Sequence, residues 1–201
     1  MFPTVICYYT QNSGYKKHVE KLIASCKKFN IPFSVDAIPS LGTWERNCCY
    51  KPKYILQKLS TLCSPVLWID ADAEIVEKPT LFENFSPDIA LPIIENLPDD
   101  HPSKMISGTI YINHTPSAFT ILKEWEVACE HLLQSDPEIW DQMVLRDLLL
   151  KSQANIYALP LAYYMVYDKR KEREKAFIVH YQASRIEKKV INCEVVPFWE
   201  S

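Results

Sequence analysis

The order of apolar and polar residues along the chain alternates between two periods. Short apolar runs bounded by turn residues predict strands, and apolar residues that recur every three or four positions predict helices. Prolines and polar turns end most of the runs. The predicted strands are residues 5–9, 33–38, 65–69, 88–94, 105–112, 155–159, 163–167 and 177–181. The predicted helices are residues 16–29, 54–62, 116–133 and 137–150.

The order of these segments predicts an α/β fold. Alternating strands and helices, followed by a mixed second half, favour a mainly parallel central sheet flanked by helices. The length of 201 residues fits one domain that spans 1–201. Ligands of such sheets bind outside the carboxyl ends of the strands. Thr10, Asp36, Asp70 and Asp72 stand at or near the carboxyl ends of predicted strands and therefore mark the expected binding edge.

Glycine is scarce in this chain. Only Gly14, Gly42 and Gly108 are present. Glycine-rich phosphate loops need clustered glycines, because backbone amides must approach the phosphates closely. Such loops are therefore excluded. A bound nucleoside diphosphate would need another source of positive charge, and a divalent cation is the obvious candidate.

Charge and cysteine content exclude several other classes of protein. A formal net charge of −3 does not indicate nucleic-acid binding. The seven cysteines form no CxxC pair and no Cys/His cluster, so neither a redox motif nor a zinc site is predicted, and a reducing compartment is expected. No run approaches the ~20 apolar residues of a membrane span, and no signal peptide is recognised. We therefore expect a cytoplasmic protein without a membrane span or a nucleic-acid partner.

Asp70-Ala71-Asp72 follows a short apolar strand. Alternation along an extended segment points Asp70 and Asp72 to the same side. Two carboxylates that face one point repel each other unless a cation lies between them. Oxygen ligands of this kind suit Mg²⁺ or Mn²⁺. The motif alone also allows a simpler interpretation, an exposed acidic pair at a strand end.

The segment 66–76, VLWIDADAEIV, resembles the DxD signature of GT-A glycosyltransferases, in which a hydrophobic strand delivers the acids to a nucleotide diphosphate. Further segments resemble the same family in the expected order. These are residues 44–59 with Lys51-Pro52-Lys53, residues 107–113 (SGTIYIN), the pair Asp141-Gln142, and residues 177–185 (FIVHYQASR). In its compact size the chain is similar to the small DxD glycosyltransferases of large algal viruses.

The resemblance implies a single GT-A-type, Rossmann-like domain with hexosyltransferase activity. Such an enzyme moves a sugar from a nucleoside diphosphate sugar, most commonly a UDP-sugar, to a glycan or other hydroxyl acceptor. The resemblance implies that Asp70, Asp72 and His180 hold Mn²⁺ or Mg²⁺, and that Asp141 and Gln142 are catalytic. The residues implied in nucleotide and sugar binding are Tyr9, Thr10, Asp36, Lys51, Asp70, Ala71, Ser107, Gly108 and Arg185.

Two other functions use similar residues. A non-catalytic module that binds sugar nucleotides would have the same metal site. A haloacid-dehalogenase-type phosphatase also carries DxD after an apolar strand, but usually near the amino terminus and with Thr or Val two residues beyond the second Asp. Here the motif lies at mid-chain and Glu74 occupies that position, which disfavours a phosphatase. The charged run 169–175 is predicted to be a solvated loop.

Overall fold

The computed structural model describes residues 2–169 and 175–195. Fifteen helices and strands follow one another in it. In chain order they are β1 (Thr4–Thr10), α1 (Tyr15–Lys28), β2 (Phe33–Ile38), α2 (Trp44–Cys49), α3 (Lys51–Leu62), β3 (Val66–Ile69), β4 (Ala73–Ile75), β5 (Ile89–Pro92), β6 (Thr109–Ile112), α4 (Pro116–Ser135), α5 (Asp141–Leu149), β7 (Ile156–Leu159), β8 (Met165–Val166), β9 (Ile178–His180) and α6 (Ser184–Val195). Most of the charged run 169–175 lies outside the described residues.

Six strands form the central sheet, in the order β2-β1-β3-β6-β5-β7. Only β6 runs against its neighbours, since it pairs antiparallel with both β3 and β5, whereas the other pairs are parallel. The predicted mainly parallel sheet is therefore confirmed. Its carboxyl-terminal edge presents Thr10 and the acidic turn that begins at Asp70.

Apolar side chains cover both faces of this sheet. Along β1, Val5 and Cys7 pack toward α1, while Ile6 and Tyr8 pack toward α3 and α4. The four residues of β3 are all buried, as the continuous apolar run of this strand predicts. The helices therefore lie on both sides of the sheet and leave its strand ends accessible.

A second, three-stranded sheet has the order β4-β9-β8. Its strand β4 was not predicted, because three residues are too few to show a period. The strand predicted at 163–167 is shorter than expected, since Leu161–Tyr163 forms a 3-10 helix and only Met165–Val166 is extended. In the antiparallel pairing of β4 with β9, Ala73 lies opposite His180.

The predicted helices at 16–29, 54–62 and 116–133 are confirmed as α1, α3 and α4. The helix predicted at 137–150 begins only at Asp141, because the Asp136 side chain and carbonyl accept bonds from the amides of Glu138 and Ile139 in a local turn. The strand predicted at 105–112 begins only at Thr109. Upstream of it, the Ser107 amide donates to the Gln142 side chain instead of to a strand.

Helices α2 and α6 were not predicted. The Thr43 side chain caps α2 by accepting a hydrogen bond from the Arg46 amide. All seven cysteines lie within the described residues and have free thiols, and Cys49 of the adjacent pair Cys48-Cys49 is buried. Among the residues that the structure describes, no helix is both long and apolar enough to cross a bilayer.

Candidate active site

Two acidic residues and a histidine meet at the carboxyl end of β3. Asp70 directly follows β3, Asp72 directly precedes β4, and His180 is the last residue of β9. The pairing of Ala73 with His180 brings Asp72 and His180 together, and the Tyr181 amide donates to the Asp72 carbonyl at 2.9 Å. One potential ligand atom from each of the three residues lies within 4.8 Å of the others.

The protonation states of this cluster suit a divalent cation. Burial and the neighbouring Asp70 raise the pKa of Asp72 to about 6, although the Ala183 amide donates to its Oδ2 at 2.7 Å. Burial lowers the pKa of His180 to about 3, so its imidazole is neutral. Nε2 of His180 lies 3.0 Å from the Thr109 hydroxyl, and Nδ1 lies 4.0 Å from Asp72 Oδ1. With the proton on Nε2, the lone pair of Nδ1 is free for a metal.

These donors fit the predicted ion. Two carboxylates and one neutral imidazole are a ligand set that Mn²⁺ accepts, with water or phosphate oxygens filling the remaining positions. A cation would also relieve the repulsion between Asp70 and Asp72, which is one reason that the pKa of Asp72 is raised.

A second cluster lies beside the first and is centred on Lys51. The Lys51 ammonium lies 2.7 Å from Asp141 Oδ2 and 3.2 Å from Asp70 Oδ1. It also donates to the carbonyl and hydroxyl of Ser107 at 3.2 Å. The Ser107 hydroxyl donates to Asp141 at 2.7 Å, and the Ser107 amide donates to Gln142 Oε1 at 3.0 Å. The cluster thus links the acidic turn after β3 to the start of α5.

Burial and neighbouring charges act in opposite directions on the pKa values of Lys51 and Asp141. Lys51 and Asp141 are both at most 6% exposed in their side chains. Burial alone would lower the pKa of Lys51, but the Asp141 and Asp70 carboxylates raise it above its usual value. Burial raises the pKa of Asp141, and Lys51 opposes this shift. The ammonium and the carboxylate therefore stabilise each other's charged forms in a site with little water.

A cavity of about 600 Å³ opens over both clusters. It contains most of the residues that the sequence singles out: Tyr9, Thr10, Lys51, Asp70, Ala71, Asp72, Ser107, Asp141 and Gln142. His180 is buried directly behind its wall. Lys51 lies in this cavity, whereas Lys53, from the same Lys51-Pro52-Lys53 segment, pairs with Glu126 at the surface.

Besides His180, three predicted residues are not among those that line this cavity. Asp36 accepts a hydrogen bond from Tyr54 and pairs with Lys58. Arg185 pairs with Asp168 in solvent. The Tyr164 ring packs closely against the backbone of Gly108, because a Cβ atom at this position would lie 2.3 Å from that ring. The space that the glycine leaves is therefore filled by Tyr164. Their assignment to nucleotide or sugar binding stays a prediction.

A sequence model of the nucleotide-diphospho-sugar transferase family matches residues 16–190. The chain belongs to this family. No curated protein sequence is similar enough to the chain to count as a relative. This membership confirms that the protein is a glycosyltransferase.

Solved structures agree with the fold of this nucleotide-diphospho-sugar transferase. A glycosyltransferase involved in the glycosylation of the major capsid of PBCV-1 is 12% identical to it, with a TM-score of 0.70 over 97% of this chain and 98% of that chain. The galactosyltransferase LgtC, in complex with donor and acceptor sugar analogs, is also 12% identical, with a TM-score of 0.58 over 98% of both chains. At such low identity the likeness concerns the fold, and it confirms the predicted GT-A type.

Several residues in the cavity of this transferase were not predicted. The Tyr164 ring lies over His180, with 4.2 Å between ring centroids, and its hydroxyl accepts a hydrogen bond from Gln182. Trp44 and Trp140 form another part of the cavity wall. The position of Trp140 next to Asp141 could have drawn attention to it. Nothing in the spacing of Tyr164 or Trp44 points to the cavity, because tertiary contacts bring them there.

Proposed function

We propose that this transferase is a metal-dependent hexosyltransferase that uses a UDP-sugar. In this proposal residues 1–201 form a single glycosyltransferase domain, and Asp70, Asp72 and His180 bind Mn²⁺ or Mg²⁺. The sugar is passed to a hydroxyl group of a glycan or another acceptor. The observation that carries the proposal is the convergence of three potential metal ligands beside a cavity in a member of a nucleotide-diphospho-sugar transferase family. Uridine is chosen because it is the commoner base in the class that the chain resembles.

The diphosphate of the donor is assigned to the end of the cavity at Asp70 and Asp72. A divalent cation held there would stabilise the negative charge that develops on the leaving diphosphate. Lys51 adds a buried positive charge next to Asp70, at 3.2 Å. The base and ribose are assigned to the cavity wall formed by Tyr9, Thr10 and Ala71.

The donor sugar is assigned to the space in front of Asp141 and Gln142. Asp141 is anchored by Lys51 and Ser107, so its carboxylate can accept hydrogen bonds from sugar hydroxyls in a fixed geometry. The Gln142 side chain accepts from the Ser107 amide and donates to the Pro102 carbonyl at 2.7 Å. Gln142 therefore holds the segment 102–107 against α5 while it lines the cavity. Both residues remain our candidates for contact with the reacting sugar.

The two alternative functions now differ in support. The family match and the fold are those of sugar transferases, which leaves the phosphatase hypothesis without support. A non-catalytic sugar-nucleotide binding module would share the cation and nucleotide contacts, but membership of a transferase family favours the enzyme.

The test is release of nucleotide from UDP-glucose, UDP-galactose, UDP-N-acetylglucosamine and GDP-mannose, with Mn²⁺ or with EDTA. We expect release of UDP in Mn²⁺, no release in EDTA, and none from Asp72→Asn. Glu83→Gln is the matched control, because Glu83 pairs with Lys78 on the surface. Full activity of Asp72→Asn would contradict the proposal. Nucleotide binding without hydrolysis or transfer to any acceptor would instead favour the binding module.

A further inference from the structure

Two tryptophans form one wall of the cavity. Trp44 is the first residue of α2, and Trp140 directly precedes α5. Their ring centroids are 6.4 Å apart with an angle of 61° between the planes. Both side chains are only half-buried and both line the cavity. Large aromatic faces that remain partly exposed inside a cavity are available to a ligand.

Neighbouring residues hold this Trp44–Trp140 wall in place. The Trp44 indole N–H donates to the Tyr15 hydroxyl at 3.1 Å. The Lys188 ammonium of α6 lies 5.0 Å from the Trp44 ring centroid and 5.7 Å from that of Trp140. Lys188 also pairs with the buried Glu45 at 2.8 Å. The wall is therefore preorganised, and the lysine charge that faces its rings is balanced by a carboxylate.

The position of the wall relates it to the transfer step. The Lys51 ammonium contacts both Asp70 and Asp141, and Trp140 directly precedes Asp141 in the chain. A donor with its diphosphate at Asp70 and its sugar at Asp141 would place the sugar ring beside Trp140, which directly precedes Asp141. A molecule that lies on Trp140 is thus positioned to receive the sugar.

Apolar residues and a few polar groups also line this cavity. Among them are Ile94, Ile106 and Ile191, together with Ser103. A pyranose ring has apolar C–H faces and hydroxyls around its edge, which matches flat aromatic faces flanked by a few hydrogen-bonding groups. The balanced Lys188–Glu45 pair offers no excess charge for an anionic ligand.

We propose that Trp44 and Trp140 form the acceptor subsite, and that this subsite binds the pyranose ring of a neutral carbohydrate. The proposal rests on the proposed function, since it names the acceptor of the same reaction. One ring of the acceptor stacks on Trp140, and one of its hydroxyls is directed to the donor sugar beside Asp141.

The test compares Trp140→Leu and Trp140→Phe with the wild type. Trp140 is chosen because Trp44 also contacts Tyr15 and so could affect the donor side. Tyr157→Leu is the matched control, since Tyr157 is an exposed aromatic of β7 that packs on Phe85. The acceptor probes are the methyl pyranosides of glucose, galactose and mannose, with a serine-containing peptide and octanol as non-carbohydrate probes. The donor is the UDP-sugar that the wild type hydrolyses.

We expect at least one pyranoside to accept the sugar. Trp140→Leu should raise the KM for that pyranoside about tenfold, since stacking on an aromatic ring contributes about that factor. Trp140→Phe should raise it less. The Kd for UDP should stay unchanged in both variants, and Tyr157→Leu should match the wild type.

Three outcomes would overturn the subsite while the proposed function stands. The first is an unchanged KM for the pyranoside in Trp140→Leu, and the second is transfer only to the peptide or to octanol. The third is a loss of UDP binding in both Trp140 variants, because this result would assign the wall to the donor. If the wild type neither binds UDP with a cation nor hydrolyses any donor, the proposed function fails and the subsite fails with it. Circular dichroism of each variant reports whether it is folded, and Trp140→Phe retains an aromatic ring if Trp140→Leu unfolds.

Discussion

The Lys51 ammonium and the Asp141 carboxylate lie 2.7 Å apart, and both are nearly inaccessible to solvent. Lys51 is the first residue of α3, and Asp141 is the first residue of α5. An acidic residue is favourable at a helix N-terminus, whereas a lysine there is not, so the Asp141 and Asp70 carboxylates offset the unfavourable position of Lys51. The pair ties two helices to the acidic turn after β3.

Removing the charge of Lys51 should destabilise the protein strongly. Lys51→Met leaves Asp141 buried without its ammonium partner, and breaking a buried pair in this way costs about 3–5 kcal/mol of unfolding free energy. The double variant Lys51→Met/Asp141→Asn should regain most of that stability, while donor hydrolysis stays lost. Urea denaturation measures the first effect and UDP release the second.

The control for this prediction is Lys58→Met, because Lys58 pairs with a half-exposed carboxylate, Asp36. Its loss should cost at most about 1 kcal/mol. Equal destabilisation by the two single substitutions would contradict the buried-pair interpretation.

The stabilisation of the protein by Mg²⁺ should depend on pH. The pKa of Asp72 is raised from 3.8 to about 6 in the folded protein, so without metal the protonated carboxyl stabilises the fold. This stabilisation is full below the unfolded-state pKa of 3.8 and is lost as the pH rises through about 6. A cation competes with this proton. The rise in Tm on adding Mg²⁺ should therefore be full above about pH 7 and decrease as the pH falls through about 6.

His180 should not contribute to this dependence, because its pKa of about 3 keeps it neutral over the range. Thermal denaturation with Mg²⁺ and with EDTA, between about pH 5 and about pH 8, measures the effect. Asp72→Asn should show no pH-dependent increment. A constant increment in the wild type would show that Asp72 is not a ligand.

Gly108 should be required for the packing of Tyr164 over His180. In Gly108→Ala the new Cβ would lie 2.3 Å from Tyr164 Cε2 and 3.1 Å from His180 Cε1, so the tyrosine ring must move. Overpacking of this kind costs about 1–3 kcal/mol. We expect a lower Tm and weaker Mn²⁺ binding, and we expect Gly108→Ala/Tyr164→Ala to recover part of the stability. A Tm equal to that of the wild type would contradict this account.

Helix α6 should loosen when Glu45 loses its charge. Glu45 pairs with Lys188 at 2.8 Å and accepts a hydrogen bond from the Asn192 side chain at 3.1 Å, and the Trp44 amide donates to Asn192 at 2.7 Å. Hydrogen bonds to charged groups contribute about 1.5–3 kcal/mol. Amide hydrogen exchange in 184–193 should therefore be at least about tenfold faster in Glu45→Gln. Glu83→Gln should leave it unchanged, and equal exchange in the two variants would rule out this anchoring role.

The sequence predicted the parts of this fold that depend on local patterns. The apolar run of β3 and the turn after it place Asp70 and Asp72 at the sheet edge, and this needs no knowledge of distant residues. The same holds for α1 and α4, whose apolar residues recur at helical spacing. His180 was predicted as a metal ligand only from the family resemblance, because a histidine in an apolar strand is usually an ordinary buried residue.

The parts that were not predicted depend on contacts between distant segments. Lys51 and Lys53 look alike in sequence, and only the fold places one beside Asp141 and the other beside Glu126. The late start of β6 reflects the bond from the Ser107 amide to Gln142, which the local pattern does not show. The Trp44–Trp140 wall combines the starts of two helices that no local period connects.

Calorimetric titration of Mn²⁺ into the protein in the presence of UDP tests the central claim most directly. The wild type should bind one Mn²⁺ per chain, and binding of UDP should weaken when the metal is removed. Asp72→Asn should lose Mn²⁺ binding and the metal-dependent part of the UDP affinity, while its circular dichroism spectrum stays that of the folded protein. Metal-independent UDP binding in the wild type, or unchanged Mn²⁺ binding in Asp72→Asn, would contradict the assignment of Asp70, Asp72 and His180 as the cation site.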